Sequence, residues 1–116
     1  MMGDCTVEMT ASNDGVVGLV RGEMDHESRS ALTEDLNRLI TRSARVIVLE
    51  LSEVTFCDSS GLNVLLLARL RANEHGAELA LARVPQHLLR MLEMTGISQV
   101  LSVYDTPAEA EAALSR

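Results

Sequence analysis

The chain has 116 residues, a formal net charge of −7 and only two aromatic residues, so it fits one domain, residues 1–116, with an aliphatic core. The acidic balance would repel phosphate groups, which argues against nucleic acid and anionic membrane surfaces as partners. No apolar run approaches the roughly 20 residues of a membrane span, and residues 1–10 lack the basic flank of a signal peptide, so we expect a cytoplasmic protein.

The first elements of the chain are predicted to form a β-hairpin. Residues 5–10 and 16–21 have strand patterns, and the polar segment between them ends in Asp14-Gly15, a dipeptide typical of hairpin turns. We expect Gly22 to end the second strand.

A helix and a buried strand are predicted next. Asp25 and Ser28 are candidate N-caps for a helix that reaches about residue 42, because its apolar residues recur at helical spacing. That apolar face consists of Ala31, Leu32, Leu36, Leu39 and Ile40. Residues 45–51 form a short apolar run that is typical of a strand buried in a parallel sheet.

The second half of the chain alternates between helices and strands. In order, we predict a helix over about 60–75 closed by Gly76, a strand over 78–82, a helix over about 85–95 closed by Gly96, a strand over 99–103 and a last helix opened by Thr106-Pro107. Strands that alternate with helices need crossover connections. The sequence therefore predicts an α/β domain with a mixed, mostly parallel sheet of about five strands and about four helices.

Two adjacent serines stand between a strand-like segment and a leucine-rich helix, in Asp58-Ser59-Ser60-Gly61. In an open α/β sheet, ligands and partners bind at the carboxyl ends of the strands, where this motif is expected. Capping explains such residues, since Asp or Ser accepts hydrogen bonds from the free N–H groups of the first helical turn. A serine at this place can also carry a phosphate, whose negative charge the helix dipole favours. The motif alone leaves capping and reversible phosphorylation open.

Catalytic and metal-binding patterns are incomplete in this chain. A hydrolase nucleophile needs Gly-x-Ser-x-Gly, but Cys57 and Asp58 occupy the glycine position ahead of the serines. The three histidines stand apart at predicted helix ends: His26, His75 and His87. A cysteine-phosphatase loop after Cys57 needs an Arg where Asn63 stands, and a P-loop needs a Lys, which the chain lacks. Cys5 and Cys57 have no paired spacing, which argues against zinc or a disulfide. We therefore expect no enzyme, no cofactor and no metal.

Four segments in a consistent order resemble the motifs of one known family. Residues 54–62 (VTFCDSSGL) resemble the signature of STAS domains, and specifically of bacterial anti-sigma factor antagonists. Gly22-Glu23-Met24-Asp25 resembles the family's Gly-Glu-Leu-Asp, and residues 45–51 (RVIVLEL) are similar to its central strand. Met94-Thr95-Gly96-Ile97 resembles the end of a helix in the family. The resemblance covers nearly the whole chain.

The resemblance implies a regulatory binding protein. Members of this family bind an anti-sigma factor that is also a serine kinase, and thereby release a sigma factor. Phosphorylation by the kinase ends the binding, and a metal-dependent serine phosphatase restores it. The family's phosphoacceptor falls on Ser59, which leaves Ser60 as the expected cap, and apolar positions that we expect in the core fall on Phe56 and Leu62. The expected partner-binding residues are Asp25, Asp58, Ser60, Gly61, Leu62 and Asn63.

Two other functions stay open on the sequence alone. A STAS module can act without phosphorylation, as a scaffold in a signalling complex or as part of a transporter. A small α/β hydrolase or phosphatase is the alternative from another class. The helix after Gly61 carries more apolar residues than one buried stripe needs, so we expect most of them in the core and Leu66 or its neighbours in an exposed patch.

Overall fold

A β-hairpin begins the fold, as the sequence predicts. In the computed structural model, which describes residues 5–12, 15–42 and 44–115, β1 (Cys5–Ala11) pairs antiparallel with β2 (Gly15–Met24). The tip of the predicted turn, residues 13–14, lies outside the described residues.

After the hairpin, helices alternate with parallel strands. These elements are α1 (Arg29–Ile40), β3 (Val46–Cys57), α2 (Ser59–Glu74), β4 (Glu78–Ala82), α3 (Gln86–Thr95), a short 3-10 helix (Ile97–Gln99), β5 (Val103–Tyr104) and α4 (Pro107–Leu114). The strands from β2 to β5 pair in parallel, and the sheet order is β1-β2-β3-β4-β5. The predicted element order and the mixed, mostly parallel sheet are confirmed.

Helices cover both faces of the sheet. Side chains of α1, α2 and α3, such as Leu36, Leu65 and Leu88, are buried in one large aliphatic cluster with the strands. A smaller cluster on the other face is closed by Ala110 of α4. Residues 46–49 of β3 are all buried because the strand lies in the middle of the sheet with helices above and below it.

The strands differ from the prediction at the edge that carries the serine motif. Gly22 does not end β2, which continues to Met24; Gly22 has a φ of 115°, a value that glycine adopts readily, and the pairing of β2 with β3 shifts register on both sides of it. The predicted strand 45–51 is also too short, because β3 runs without a break from Val46 to Cys57.

Two smaller predictions are wrong. The strand predicted over 99–103 is reduced to Val103 and Tyr104, because Ile97 and Leu101 are both buried at the spacing of a helical turn, and the Leu101 N–H donates to the Ile97 carbonyl oxygen at 2.9 Å. Ala31 is exposed, since the buried face of α1 is narrower than its apolar pattern.

Candidate functional site

The candidate site lies at the carboxyl ends of β2 and β3, which are neighbours in the sheet. Met24 pairs with Cys57 at the ends of these strands, so the residues that follow, Asp25 and Asp58, leave the sheet at the same edge. The Asp58 N–H donates a hydrogen bond of 3.2 Å to the Met24 carbonyl oxygen and links the two strand ends. The fold therefore brings two carboxylates to the beginning of α2.

Asp58 is the N-cap of α2. Its backbone is extended, and its Oδ1 accepts hydrogen bonds from the N–H groups of Ser60, at 2.9 Å, and Gly61, at 3.2 Å. These bonds satisfy two of the N–H groups that the first turn leaves without an intrahelical partner. The expectation that Ser60 is the cap is wrong, because the helix begins at Ser59 and a cap must precede the first helical residue.

Ser59 is the first residue of α2, and it is exposed. In the described part of the chain, its hydroxyl makes no hydrogen bond to another side chain or to the backbone. Its backbone is nevertheless held firmly, since it lies between the Asp58 cap and the first helical hydrogen bonds. The hydroxyl is accessible to another protein at a place where the dipole of α2 favours added negative charge.

Asp25 forms a reciprocal pair with Ser28 in the turn that leads to α1. The Ser28 N–H donates to Asp25 Oδ1 at 2.9 Å, and the Asp25 N–H donates to Ser28 Oγ at 3.0 Å. The Ser28 hydroxyl, which is buried, donates in turn to the Glu23 carbonyl oxygen at 2.7 Å. This arrangement resembles a capping box and fixes the Asp25 carboxylate beside the site.

The next residues of α2 alternate between structural and exposed positions. Gly61 packs so closely on the end of β2 that an added Cβ would lie 2.4 Å from the Met24 carbonyl oxygen and 2.9 Å from Cys57 Sγ. Leu62 is buried in the core, as predicted, and Asn63 is exposed. Gly61 thus permits the close contact that places Ser59, and a larger residue would displace it.

Phe56 is not in the core, contrary to the prediction. Its side chain is 48% exposed, and it belongs to neither apolar cluster. The reason is local. The pairing of β2 with β3 shifts register twice, and at each shift β3 has one residue more than β2. The buried residues of this part of β3 are therefore three positions apart: Leu51, Val54 and Cys57. That three-residue spacing of apolar residues is the signal in the sequence that simple alternation overlooks.

Both cysteines are free and buried, and neither is suited to nucleophilic chemistry. The pKa of Cys57 is raised from 9.0 to about 12, mainly by burial and to a smaller extent by the nearby Asp58 carboxylate and Cys5 thiol. Burial, then the charges of Asp35 and Asp25, raises the pKa of Cys5 to about 11. Both thiols are therefore protonated at neutral pH, whereas a cysteine phosphatase needs a thiolate.

The outer face of α2 carries an exposed apolar stripe below the site. Leu67 and Leu70 are 38% and 52% exposed, while Leu66 is half-buried and packs against the core. Val64 and Leu67 also line an open groove of about 420 Å³ between α1 and α2, which reaches Asn63. The expectation that most of the apolar residues of α2 are core and that neighbours of Leu66 are exposed is confirmed.

Other site types find no support among the described residues. All three histidines are exposed and stand apart: His26 lies in the turn before α1, His75 follows the end of α2, and His87 is in α3. Within residues 5–12, 15–42 and 44–115, no three His, Cys, Asp or Glu side chains come together as a metal ion would require. The helices in these ranges are all too short or too polar to cross a membrane.

Comparison with known proteins identifies the family. The STAS domain model matches residues 7–110, which is most of the chain. The chain belongs to the STAS domain family. "Anti-sigma F factor antagonist" of Paenibacillus polymyxa is 30% identical over 105 residues, which are 90% of each chain. "Anti-sigma-B factor antagonist" of Listeria monocytogenes is 29% identical over 90 residues, 78% of this STAS chain and 79% of that one.

A solved structure has the same fold. The crystal structure of an anti-sigma factor antagonist from Mycobacterium paratuberculosis superposes with a TM-score of 0.88 and covers 98% of this chain and 97% of that one, at 22% identity. The family resemblance of the sequence motifs is therefore confirmed. The roles of Ser59 and of the residues around it remain predictions, since a shared fold does not test them.

Proposed function

We propose that this STAS domain is a cytoplasmic anti-sigma factor antagonist. It binds an anti-sigma factor that is also a serine kinase, through the surface around Ser59, and so releases a sigma factor. Phosphorylation of Ser59 ends the binding, and a metal-dependent serine phosphatase restores it. The observation that carries the proposal is the exposed Ser59 hydroxyl at the first residue of α2, in a chain whose relatives are named anti-sigma factor antagonists.

The predicted partner-binding residues divide into two groups. Asp25, Asp58, Ser60 and Asn63 are exposed or half-buried and can contact another protein. Gly61 and Leu62 are buried, so they support the interface by fixing the position of α2 rather than by direct contact. The carboxylates give the surface a negative charge that suits a cationic partner.

A phosphate on Ser59 should leave the fold intact. The dipole at the beginning of α2 favours the added charge by roughly 0.3–1 kcal/mol, and repulsion from Asp58 opposes it. These two effects are small and partly cancel. Because Ser59 is exposed and its hydroxyl has no role in the described fold, the phosphate has room in the free protein.

The same phosphate should abolish binding. It adds about −1.5 to −2 units of charge beside two carboxylates. An interface that buries this charge without a counter-ion loses several kcal/mol of binding free energy, and each 1.4 kcal/mol is about tenfold in affinity. One modification can therefore separate the partners without unfolding either.

The test uses purified anti-sigma factor kinases of the native host, each incubated with this chain and ATP. We expect one kinase to add a single phosphate, and peptide mass analysis to place it on Ser59. Ser59→Ala should abolish the modification, while the control Ser60→Ala keeps it. We also expect Ser59→Asp to weaken binding at least ~tenfold in a titration, with an unchanged circular dichroism spectrum.

Other results would exclude the proposal. A phosphate on Ser60 or elsewhere would refute the assignment of Ser59. A protein that binds an anti-sigma factor but carries no phosphate, in vitro or when isolated from its host, would instead be a STAS scaffold without a switch.

A further inference from the structure

We propose that Phe56 is the aromatic anchor of the partner interface and that it enters an apolar recess with cationic side chains at its rim. This inference rests on the proposed function, since it concerns the surface around Ser59. Its basis is the one Phe of the chain, which the family resemblance assigns to the core but which is 48% exposed in the structure.

The exposure of Phe56 follows from the backbone of β3. The register shift next to Gly22 inserts an extra residue between Val54 and Phe56, because Gly22 pairs with Val54 and Glu23 pairs with Phe56. The shift puts Cys57 in the core and leaves Thr55 and Phe56 exposed. Bulges of this kind re-aim side chains and are frequent beside functional sites.

The position of Phe56 suits the centre of an interface. It lies three residues before Ser59, a separation of at most about 10 Å along an extended chain. A standard interface covers about 800 Å² on each partner, which corresponds to a disc of about 16 Å radius. If the disc is centred on Ser59, Phe56 lies well inside it, where the residues that dominate affinity are found.

Leu70 of α2 is a worse candidate for the anchor. Leu70 is 52% exposed, about as much as Phe56, but it is eleven residues along α2 from Ser59, or about 16 Å. This places Leu70 at the perimeter of the same disc. Truncation of residues at the rim of an interface usually changes affinity little.

The surroundings of Phe56 define the chemistry of the partner. Glu23 is its neighbour across the strand pair, and Asp25 and Asp58 follow at the ends of the same two strands. A ring that precedes Asp25 and Asp58 at the ends of the same two strands fits an apolar recess that has Arg or Lys at its rim, because such groups can pair with these two carboxylates while the ring is desolvated. An acidic partner surface would repel the charges of Asp25 and Asp58.

The experiment compares Phe56→Ala with Leu70→Ala, two truncations at nearly equal exposure. Affinity for the anti-sigma factor kinase that binds the wild-type chain is measured by titration, and stability by urea denaturation. We expect Phe56→Ala to weaken binding about 30-fold or more, and Leu70→Ala less than about fivefold. Both variants should lower the urea midpoint by a similar, small amount, because the two side chains are buried to a similar extent, so a loss of binding confined to Phe56→Ala would not reflect a loss of the fold.

A third variant tests the chemistry of the recess. Phe56→Lys should bind more weakly than Phe56→Ala, since its ammonium group would face the cationic rim. Stronger binding of the Lys variant would refute the cationic rim. Equal affinities of wild type and Phe56→Ala would refute the anchor while the proposed function stands. If no anti-sigma factor binds the wild type, the proposed function itself fails.

Discussion

The capping role of Asp58 gives a sharp test of how the serine motif is built. Asp58→Ala removes one acceptor that serves two N–H groups, at 2.9 and 3.2 Å, and a negative charge at the helix dipole. Loss of a cap costs about 1 kcal/mol and loss of the charge about 0.3–1 kcal/mol. We therefore expect a loss of about 1.5 kcal/mol in the free energy of unfolding. For a chain of this length, that lowers Tm by about 6 °C.

Two control variants separate the contributions. Asp58→Asn keeps an acceptor and removes only the charge, so it should lose about 0.5 kcal/mol. Ser60→Ala should stay within about 0.5 kcal/mol of the wild type, because Ser60 lies inside the helix and is not the cap. Urea denaturation followed by circular dichroism measures all three. If Ser60→Ala were as destabilising as Asp58→Ala, the assignment of the cap to Asp58 would be refuted.

Three further changes have expected outcomes that urea denaturation can check. Gly61→Ala should destabilise the fold by about 1–3 kcal/mol, since its Cβ would lie 2.4 Å from the Met24 carbonyl oxygen; a more stable variant, as helix propensity alone predicts, would contradict the close packing. Ser28→Ala should cost about 1–3 kcal/mol, because it removes a buried hydroxyl that accepts from one backbone N–H and donates to one carbonyl, whereas the exposed control Ser30→Ala should change little. Above pH 9 the unfolded Cys57 thiol ionises while the folded thiol, with its pKa raised to about 12, stays protonated, so stability should fall as pH rises. Cys57→Ala should make that slope shallower by about 1.4 kcal/mol per pH unit between pH 10 and 11, and an unchanged slope would contradict the raised pKa.

The sequence predicts the architecture well because the spacing of apolar residues agrees with the capping and turn residues over most of the chain. The bounds of β4 match the prediction, and α4 begins where Thr106 offers a cap and Pro107 suits the first position; the Thr106 hydroxyl oxygen accepts from the Glu109 N–H at 3.1 Å. The errors at the end of β2, in the length of β3 and at Phe56 lie where these strands shift register. The register shifts on both sides of Gly22 exist only when β2 and β3 pair, so the sequence of either strand alone does not reveal them.

The sequence predicts which residues form the candidate site, but it does not predict which of them caps α2 and which is exposed. The position of Asp58, Ser59 and Ser60 at a strand end and helix start follows from local patterns. Which of them caps depends on the residue at which the helix begins, and helix ends are uncertain by one or two residues even between assignment methods. The exposure of Phe56 depends on the bulge, so the core position that the family resemblance implies for it is wrong.

The division of roles would allow the proposed phosphorylation of Ser59 to act on binding alone. Asp58 accepts the hydrogen bonds that cap α2, and the first turn of α2 is held by the packing of Gly61 and Leu62. Ser59 therefore contributes little to stability, and its hydroxyl can change chemically at small cost to the fold. A partner that covers Ser59 and Phe56 together would have to desolvate the phosphate in order to bury the ring. The phosphate would therefore change the binding free energy much more than the free energy of unfolding, and each 1.4 kcal/mol of binding free energy changes affinity about tenfold.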